Sequence, residues 1–265
     1  MEVEAILSEK PQSTLTEISS LTNISRTSVF RLIHSELKLK SYKIQIHQKL
    51  FEEDYDIRIQ TAEDLLPLIQ DTSLENLIYF SDEATFHKSG YVHTHNCRIW
   101  SSEKPTIVNE YEDNTAKVNV WCAMSSDCVI DPYFFDQNVN AENYLHMLQT
   151  YFRPIIQSKR LTSKIYFQQD GASPHYSLIA RKWLNERLPS RWIGRRGPIE
   201  WAARSPDLTP LDFFLWGYVK KKVYKDNITN LDDLREKITN TIVSIKTDVL
   251  NRVFFRNFKK ASFSY

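Results

Sequence analysis

Three aspartates stand in contexts that would hold a carboxylate still. Asp82 ends the apolar run Leu77-Ile78-Tyr79-Phe80-Ser81, and Asp170 ends a second run, Ile165-Tyr166-Phe167-Gln168-Gln169. Aromatic and β-branched residues at that density read as short buried strands, which puts both acids at strand ends. Asp212 lies in Ser205-Pro206-Asp207-Leu208-Thr209-Pro210-Leu211-Asp212, where two prolines lead into the first turn of a helix. Carboxylates brought together from two strands and a helix suit hard divalent cations, which take oxygen ligands. Two such ions about 3.5 to 4 Å apart activate an attacking oxygen and stabilise a leaving one in phosphoryl transfer. The expected chemistry is cleavage or transfer of polynucleotide strands on two Mg2+ (or Mn2+) ions, with Asp82, Asp170 and Asp212 as catalytic residues and metal ligands.

Each acid also has a plainer reading. Thr209 can be a helix N-cap and Pro210 the first helical residue, so an acid at 212 would favour the helix amino terminus without any metal. Asp82 and Asp170 could each begin a turn. Glu83 should face the opposite side of the strand from Asp82, Asp207 reads as turn structure, and His175 reads as a satisfied structural histidine. These readings explain each residue singly but leave the shared order and context of the three aspartates unexplained.

Phe80-Ser81-Asp82-Glu83-Ala84-Thr85-Phe86, Gln168-Gln169-Asp170-Gly171-Ala172-Ser173-Pro174-His175 and Ser205 through Asp212 resemble the three signature blocks of mariner-like DNA transposases, in the retroviral-integrase-like superfamily. The likeness runs from about Leu77 to about Tyr224 and includes Trp192-Ile193-Gly194-Arg195-Arg196-Gly197-Pro198-Ile199. The 41 residues between Asp170 and Asp212 are similar to the spacing of an insect-type branch of that group. The resemblance implies an α/β, RNase H-like mixed sheet flanked by helices, with the first two acids of a DDD triad on adjacent central strands. It also implies cleavage at the ends of an element, attack of the freed 3′-hydroxyl on target DNA at TA dinucleotides, and a homodimer on double-stranded DNA. Ala202-Ala203, Ser173, Cys128 and Asp131 depart from prolines and glycines common in the group. None of these changes removes an acid, and they bear instead on the loop that aims Asp212.

The elements ahead of the acids read as a second module. Residues 1–45 carry three short helical patterns, the second with Thr14 and Glu17 in capping-box spacing and a buried stripe of Leu15, Ile18 and Leu21. Ser25 caps the third, whose apolar face is Val29, Leu32, Ile33 and Leu37. This is helix-turn-helix spacing, and it turns Arg26, Thr27, Ser28, Arg31 and His34 outward toward a major groove, with Lys38 and Lys40 as phosphate contacts. A small structural bundle with a polar outer face is the plainer alternative. The resembled family carries two such modules in series and one fits before Asp82, the pattern of a truncated or degenerate copy. Residues 46–72 read as an acidic linker and 73–265 as the catalytic domain.

A chain of 265 residues, 42% hydrophobic, can bury a substantial core. Its net charge of +1 hides a segregation, since Ser25 to Lys49 holds six basic residues against the single acid Glu36, followed by Glu52, Glu53, Asp54, Asp56, Glu63 and Asp64 against Arg58. No apolar run reaches membrane-span length and no secretory leader pattern opens the chain, so an intracellular and, with DNA as partner, nuclear protein is expected. Cys97, Cys122 and Cys128 form neither a disulfide framework nor a zinc pattern. The main rival function is a non-catalytic, transposase-derived DNA-binding regulator, and a structure-specific nuclease ranks third.

Overall fold

The computed structural model describes residues 2–10, 13–39, 50–71, 74, 76–90 and 116–254. The chain divides into two compact units, Met1–Gln48 and Lys49–Tyr265.

The smaller unit holds α1 (Glu2–Glu9), α2 (Leu15–Thr22) and α3 (Arg26–Arg31), the last continued by a π-helical turn over Leu32–Glu36. The expected capping box is present, with the Glu17 amide donating to Thr14 Oγ1 at 3.2 Å and the Thr14 amide donating to Glu17 Oε2 at 2.7 Å. Asn23, left-handed at φ 54, ends α2, and the Ser28 amide donates to Ser25 Oγ at 3.2 Å to open α3. Val3, Ile18 and Val29 form the buried centre, and Leu15, Leu32, Ile33 and Leu37 pack against it. Leu21 is a correction, because it was expected in the buried stripe and is 70% exposed. Leu21 lies in the last turn of α2, and with helices this short Ile18 alone of the α2 stripe is fully enclosed.

The larger unit begins with α4 (Glu52–Gln70), so most of the stretch expected as a linker is a helix of this unit, with Leu65 in its core. Among the described residues there are five strands: β1 (Ile78–His87), β2 (Lys117–Met124), β3 (Val129–Phe135), β4 (Tyr166–Gln168) and β5 (Trp192–Ile193). They lie in the order β3-β2-β1-β4-β5, antiparallel from β3 to β1 and parallel from β1 to β5. The helix expected over 141–157 is α5 (Ala141–Met147), a π-helical stretch Leu148–Phe152 and α6 (Arg153–Ser158). Then come α7 (Leu178–Arg187), a π-helical turn Leu211–Leu215, α8 (Trp216–Val223), α9 (Leu231–Val243) and α10 (Thr247–Val253). Strands expected near 91–92 and 98–100, together with Lys40, Cys97 and Asp113, lie outside the described residues.

Strand alternation assigns each face of the sheet to its own helices. Ile78, Phe80, Val120, Cys122 and Met124 face Leu211, Leu215, Val219, Leu234 and Ile238 on the side of α8 and α9. Tyr79, Trp121, Ala123 and Phe167 face Tyr144, Phe152, Ala180 and Leu184 on the side of α5, α6 and α7. A mixed sheet with helices on both faces is the expected architecture.

Candidate active site

Asp82 lies within β1, opposite Cys122 of β2, rather than at a strand end. The strand runs on because Ala84 and Phe86 continue the same apolar face and β2 pairs with it as far as His87. On that face the Asp82 carboxylate meets α8, where the Trp216 indole donates its N–H to Asp82 Oδ2 at 2.7 Å. Sequence reading missed Trp216. Its signal was a buried indole, which requires an acceptor, placed four residues after Asp212.

Asp170 follows β4, which pairs with β1, so the first two acids do come from adjacent strands. The turn after it is tightly built: the Ala172 amide donates to Asp170 Oδ1 at 2.9 Å, and Gln169 bridges the Tyr144 hydroxyl and the His175 carbonyl, each at 2.8 Å. His175, 2% exposed, sets Nδ1 2.5 Å from Asp170 Oδ1 and Nε2 3.2 Å from Glu83 Oε1. Its partners are thus satisfied, as expected, and they include the aspartate of interest. Glu83 takes the opposite face of β1 from Asp82, also as expected, yet it joins the site through this imidazole. Burial opposes the charged form of His175, but the charge of Glu83 and the bonds to Asp170 and Glu83 outweigh it and push the imidazole up to about 10. As a cation it donates from both nitrogens. Burial likewise opposes a charged Asp170, yet the His175 bond and charge hold its carboxyl below the usual range.

Asp212 sits in the π-helical turn that opens α8. The backbone follows the expected pattern, with Pro210 as the first helical residue and the Phe213 amide donating to the Thr209 carbonyl at 3.2 Å, but the side-chain cap is missing: the Thr209 hydroxyl turns back to the Ser205 carbonyl at 3.5 Å, and no described group donates to the Asp212 carboxylate. Its loop is fixed from outside. Buried Arg58 of α4 donates to Asp207 Oδ1 at 3.2 Å, to Asp207 Oδ2 at 2.6 Å and to Ser205 Oγ at 2.8 Å. Asp54, one turn earlier on α4, accepts from Arg204 Nε at 2.8 Å and Nη2 at 2.5 Å, and Thr61 donates to the Glu200 carbonyl at 3.1 Å. Asp207 is therefore structural, as its sequence context implied. The lone Arg58 among six acids was the available sign of this clamp.

Burial pushes the Asp82 carboxyl well above the carboxylate range, and the charges of Asp212, Glu83 and Asp170 add to the effect against the Trp216 bond. Asp212 is pushed up to about 6, by burial and then by the charge of Asp170. The three acids thus sense one another, and among the described residues no Lys or Arg pairs with any of them. An all-oxygen set, with mutual repulsion at Asp82 and Asp212 and with His175 as the cation bonded to Asp170, suits hard divalent ions by its donor chemistry. Among the described residues no group of three or more His, Cys, Asp or Glu is gathered closely enough to hold a metal ion as it stands. On the same face of the sheet, one pleat from Asp170, the buried Gln168 carboxamide has neither its oxygen nor its nitrogen bonded, which leaves polar capacity beneath the acids.

In the smaller unit Arg26, Thr27, Ser28, Arg31 and His34 are exposed on one helical segment whose inner side is Val29, Leu32 and Ile33, and Lys38, also exposed, lies just past its end at φ 52. His34 stacks on Phe30 with ring centroids 4.0 Å apart and sets Nδ1 3.1 Å from the Phe30 carbonyl.

No family model matches the sequence, and no curated protein matches it. Solved structures do. The Mos1 transposase paired-end complex with left transposon end aligns at a TM-score of 0.73 with 18% identity over 100% of this chain and 78% of that one. The Mos1 mariner paired-end complex with Mn aligns at 0.73 with 17% identity over the same shares. The catalytic domain of Mos1 mariner transposase aligns at 0.62 with 17% identity over 83% of this chain and 97% of that one. At these identities the likeness is one of fold: the sheet and its flanking helices are RNase H-like, preceded by a helical amino-terminal region.

Proposed function

We propose that the chain is a mariner-like DNA transposase that cleaves element ends and joins them to target DNA, with Asp82, Asp170 and Asp212 as its catalytic carboxylates. The observation that carries this reading is their electrostatic coupling on the RNase H-like sheet: burial and neighbouring carboxylate charge raise the proton affinity of Asp82 and Asp212, beside an Asp170 that His175 keeps ionised. Such an arrangement costs stability and is retained to hold cations. A regulator that only binds DNA gains nothing from it, which weighs against the rival function. The neighbours named for a left transposon end and for Mn support the same chemistry by likeness of fold.

In this reading Asp82, Asp170 and Asp212 hold two Mg2+ or Mn2+ ions, which when bound lower the proton affinity of an attacking oxygen and stabilise the leaving one. The protein's own groups set the frame. Trp216 restricts the Asp82 carboxylate to one orientation, protonated His175 keeps Asp170 ionised, and the α4 clamp fixes the loop that presents Asp212. The exposed residues Arg26, Thr27, Ser28, Arg31, His34 and Lys38, with Lys40, serve as a helix-turn-helix contact to terminal-repeat DNA. The work is done as a homodimer on DNA in the nucleus, with insertion at TA.

The test is incubation of the protein with DNA carrying its inverted terminal repeats, in Mg2+ or Mn2+ and in chelator. Metal-dependent strand breaks at the repeat ends are expected, and they should disappear in Asp82→Asn, Asp170→Asn and Asp212→Asn. Breaks that persist in all three variants would sink the assignment.

A further inference from the structure

Beside Asp170 the chain builds a second feature. The segment after β5 folds back sharply: the Gly194 amide donates to the Ile199 carbonyl at 3.0 Å, the Gly197 amide donates to the Gly194 carbonyl at 2.9 Å, and Ile193 bridges Ile199. Neither glycine has room for a side chain. A Cβ on Gly197 would lie 2.9 Å from both the Gly194 carbonyl oxygen and the Trp192 ring, and one on Gly194 would lie 3.0 Å from Gln169 Cγ. Arg196 takes a left-handed backbone at φ 61, secured by its amide donating to Glu200 Oε2 at 2.8 Å. A non-glycine residue in that region is held there by its surroundings, so the loop is rigid by construction.

What this loop presents is two arginines. The Arg195 guanidinium lies 4.4 Å from the centre of the Tyr176 ring and that of Arg196 lies 5.6 Å from it, while the Arg195 stem runs past Gly171, 3.5 Å from where a Cβ would sit. Both residues are exposed, and neither guanidinium pairs with a carboxylate among the described residues. A third cation, Arg181, is tied to the same place by Nε donating to the Tyr176 carbonyl at 2.9 Å. Stacking on an aromatic face leaves the edge N–H groups of a guanidinium directed outward, in the fork that matches phosphate oxygens. The setting needs such charge, since Asp170, Asp82 and Asp212 repel any phosphodiester brought to them.

We propose that Arg195 and Arg196, held against Tyr176 and Gly171, form a phosphate clamp that seats a DNA strand beside Asp170. This rests on the DNA-processing reading and deepens it by naming the surface that holds the backbone of the processed strand. Phosphate contacts of this kind carry no sequence information, so the clamp serves any strand that enters the site.

The experiment is an anisotropy titration of the full chain with a fluorescein-labelled duplex at several salt concentrations, on protein shown to be folded by circular dichroism. Two lost phosphate contacts should lower the slope of log affinity against log salt by about 2 in Arg195→Ala/Arg196→Ala and weaken binding at low salt about tenfold or more. Arg195→Lys/Arg196→Lys should keep most of the slope, and Lys159→Ala, on an exposed turn elsewhere, should leave it unchanged. An unaltered slope in the double alanine variant, or an equal fall in Lys159→Ala, overturns the clamp while leaving the DNA reading intact. Absence of salt-dependent duplex binding by the unmodified chain overturns both.

Discussion

Arg58 grips both carboxylate oxygens of Asp207, at 3.2 and 2.6 Å, across 149 residues of sequence. With the Asp54–Arg204 pair it ties α4 to the loop that ends at Asp212, so the helix ahead of the sheet helps aim the third acid. Asp207→Asn leaves a buried guanidinium with weakened partners and should cost about 1 to 3 kcal/mol of stability. Strand cleavage should fall but persist. An Asp207→Asn protein that is as stable as the parent yet wholly inactive would make Asp207 the acid that matters. A double-mutant cycle with Arg58→Ala should return a coupling of about 0.5 to 3 kcal/mol, as contacting charges do.

Replacing Asp82, Asp170 or Asp212 by Asn should each lower metal-dependent cleavage about a hundredfold or more, since several kcal/mol of charge stabilisation rests on each ligand. The effect on stability without metal should have the opposite sign for two of them. Asp82 and Asp212 have raised proton affinities in the folded chain, so their contribution to stability is full below an ordinary aspartate pKa of about 4. For Asp212 it is lost as pH rises through about 6. At pH 7.5 in chelator, Asp82→Asn and Asp212→Asn should therefore melt above the parent, and Mg2+ should raise the parent's Tm more than theirs. Lower melting of both variants in chelator would contradict the coupling.

Metal binding should release protons near pH 6, because a cation at Asp212 competes with the proton that its raised affinity retains. Calorimetric Mn2+ titrations in buffers of different ionisation enthalpy should report this release at pH 6, and weaker binding at pH 5.5 than at pH 7.5. Equal affinity at both pH values would count against Asp212 as a ligand.

His175 is the opposite case. Asp170 is held below the usual carboxylate range, so its contribution is present above a pKa of about 4 and lost as pH falls; His175 contributes fully below about 6.5 and loses that as pH climbs toward about 10. The pair thus supports the fold across neutral pH. His175→Ala strands Asp170 and Glu83 around a vacated buried position and should cost about 3 to 5 kcal/mol at pH 7, read by denaturant unfolding. A loss below 1 kcal/mol would show that the imidazole is not the cation that the two carboxylates share.

The parts legible in the sequence were those written in local pattern. The alternation in β1 and β2, the Thr14–Glu17 box and the apolar face of α3 each follow from periodicity or cap chemistry within a few residues. Leu21 eluded this reading because periodicity marks a face without saying how far its partners extend. The length of β1 past Asp82 depended on pairing with β2, about 40 residues on, and the role of α4 depended on charges in the loop before Asp212. In the site, the three acids were visible by type and context. The roles of Trp216, Glu83 and Arg58 were not, since each acts through a partner that only the fold brings near.

Recognition of DNA should rest on the polar first turn of α3. If that segment enters a major groove, Arg26→Ala should cost about 1 to 3 kcal/mol of discrimination between terminal-repeat and scrambled duplexes, because arginine reads guanine edges bidentately. Lys38→Ala and Lys40→Ala should weaken both duplexes alike and each reduce the salt slope by about 1. The exposed positions of Arg26, in the first turn of α3, and of Lys38, just past the end of the helical segment, are what make this separation available. Phosphate interactions should supply much of the affinity, so binding should fall steeply between low and physiological salt. Titrations of the full chain at two salt concentrations with both duplexes read all of these effects. If Arg26→Ala and Lys38→Ala leave both affinities and the slope unchanged, the three helices are a structural bundle and recognition lies elsewhere in the chain.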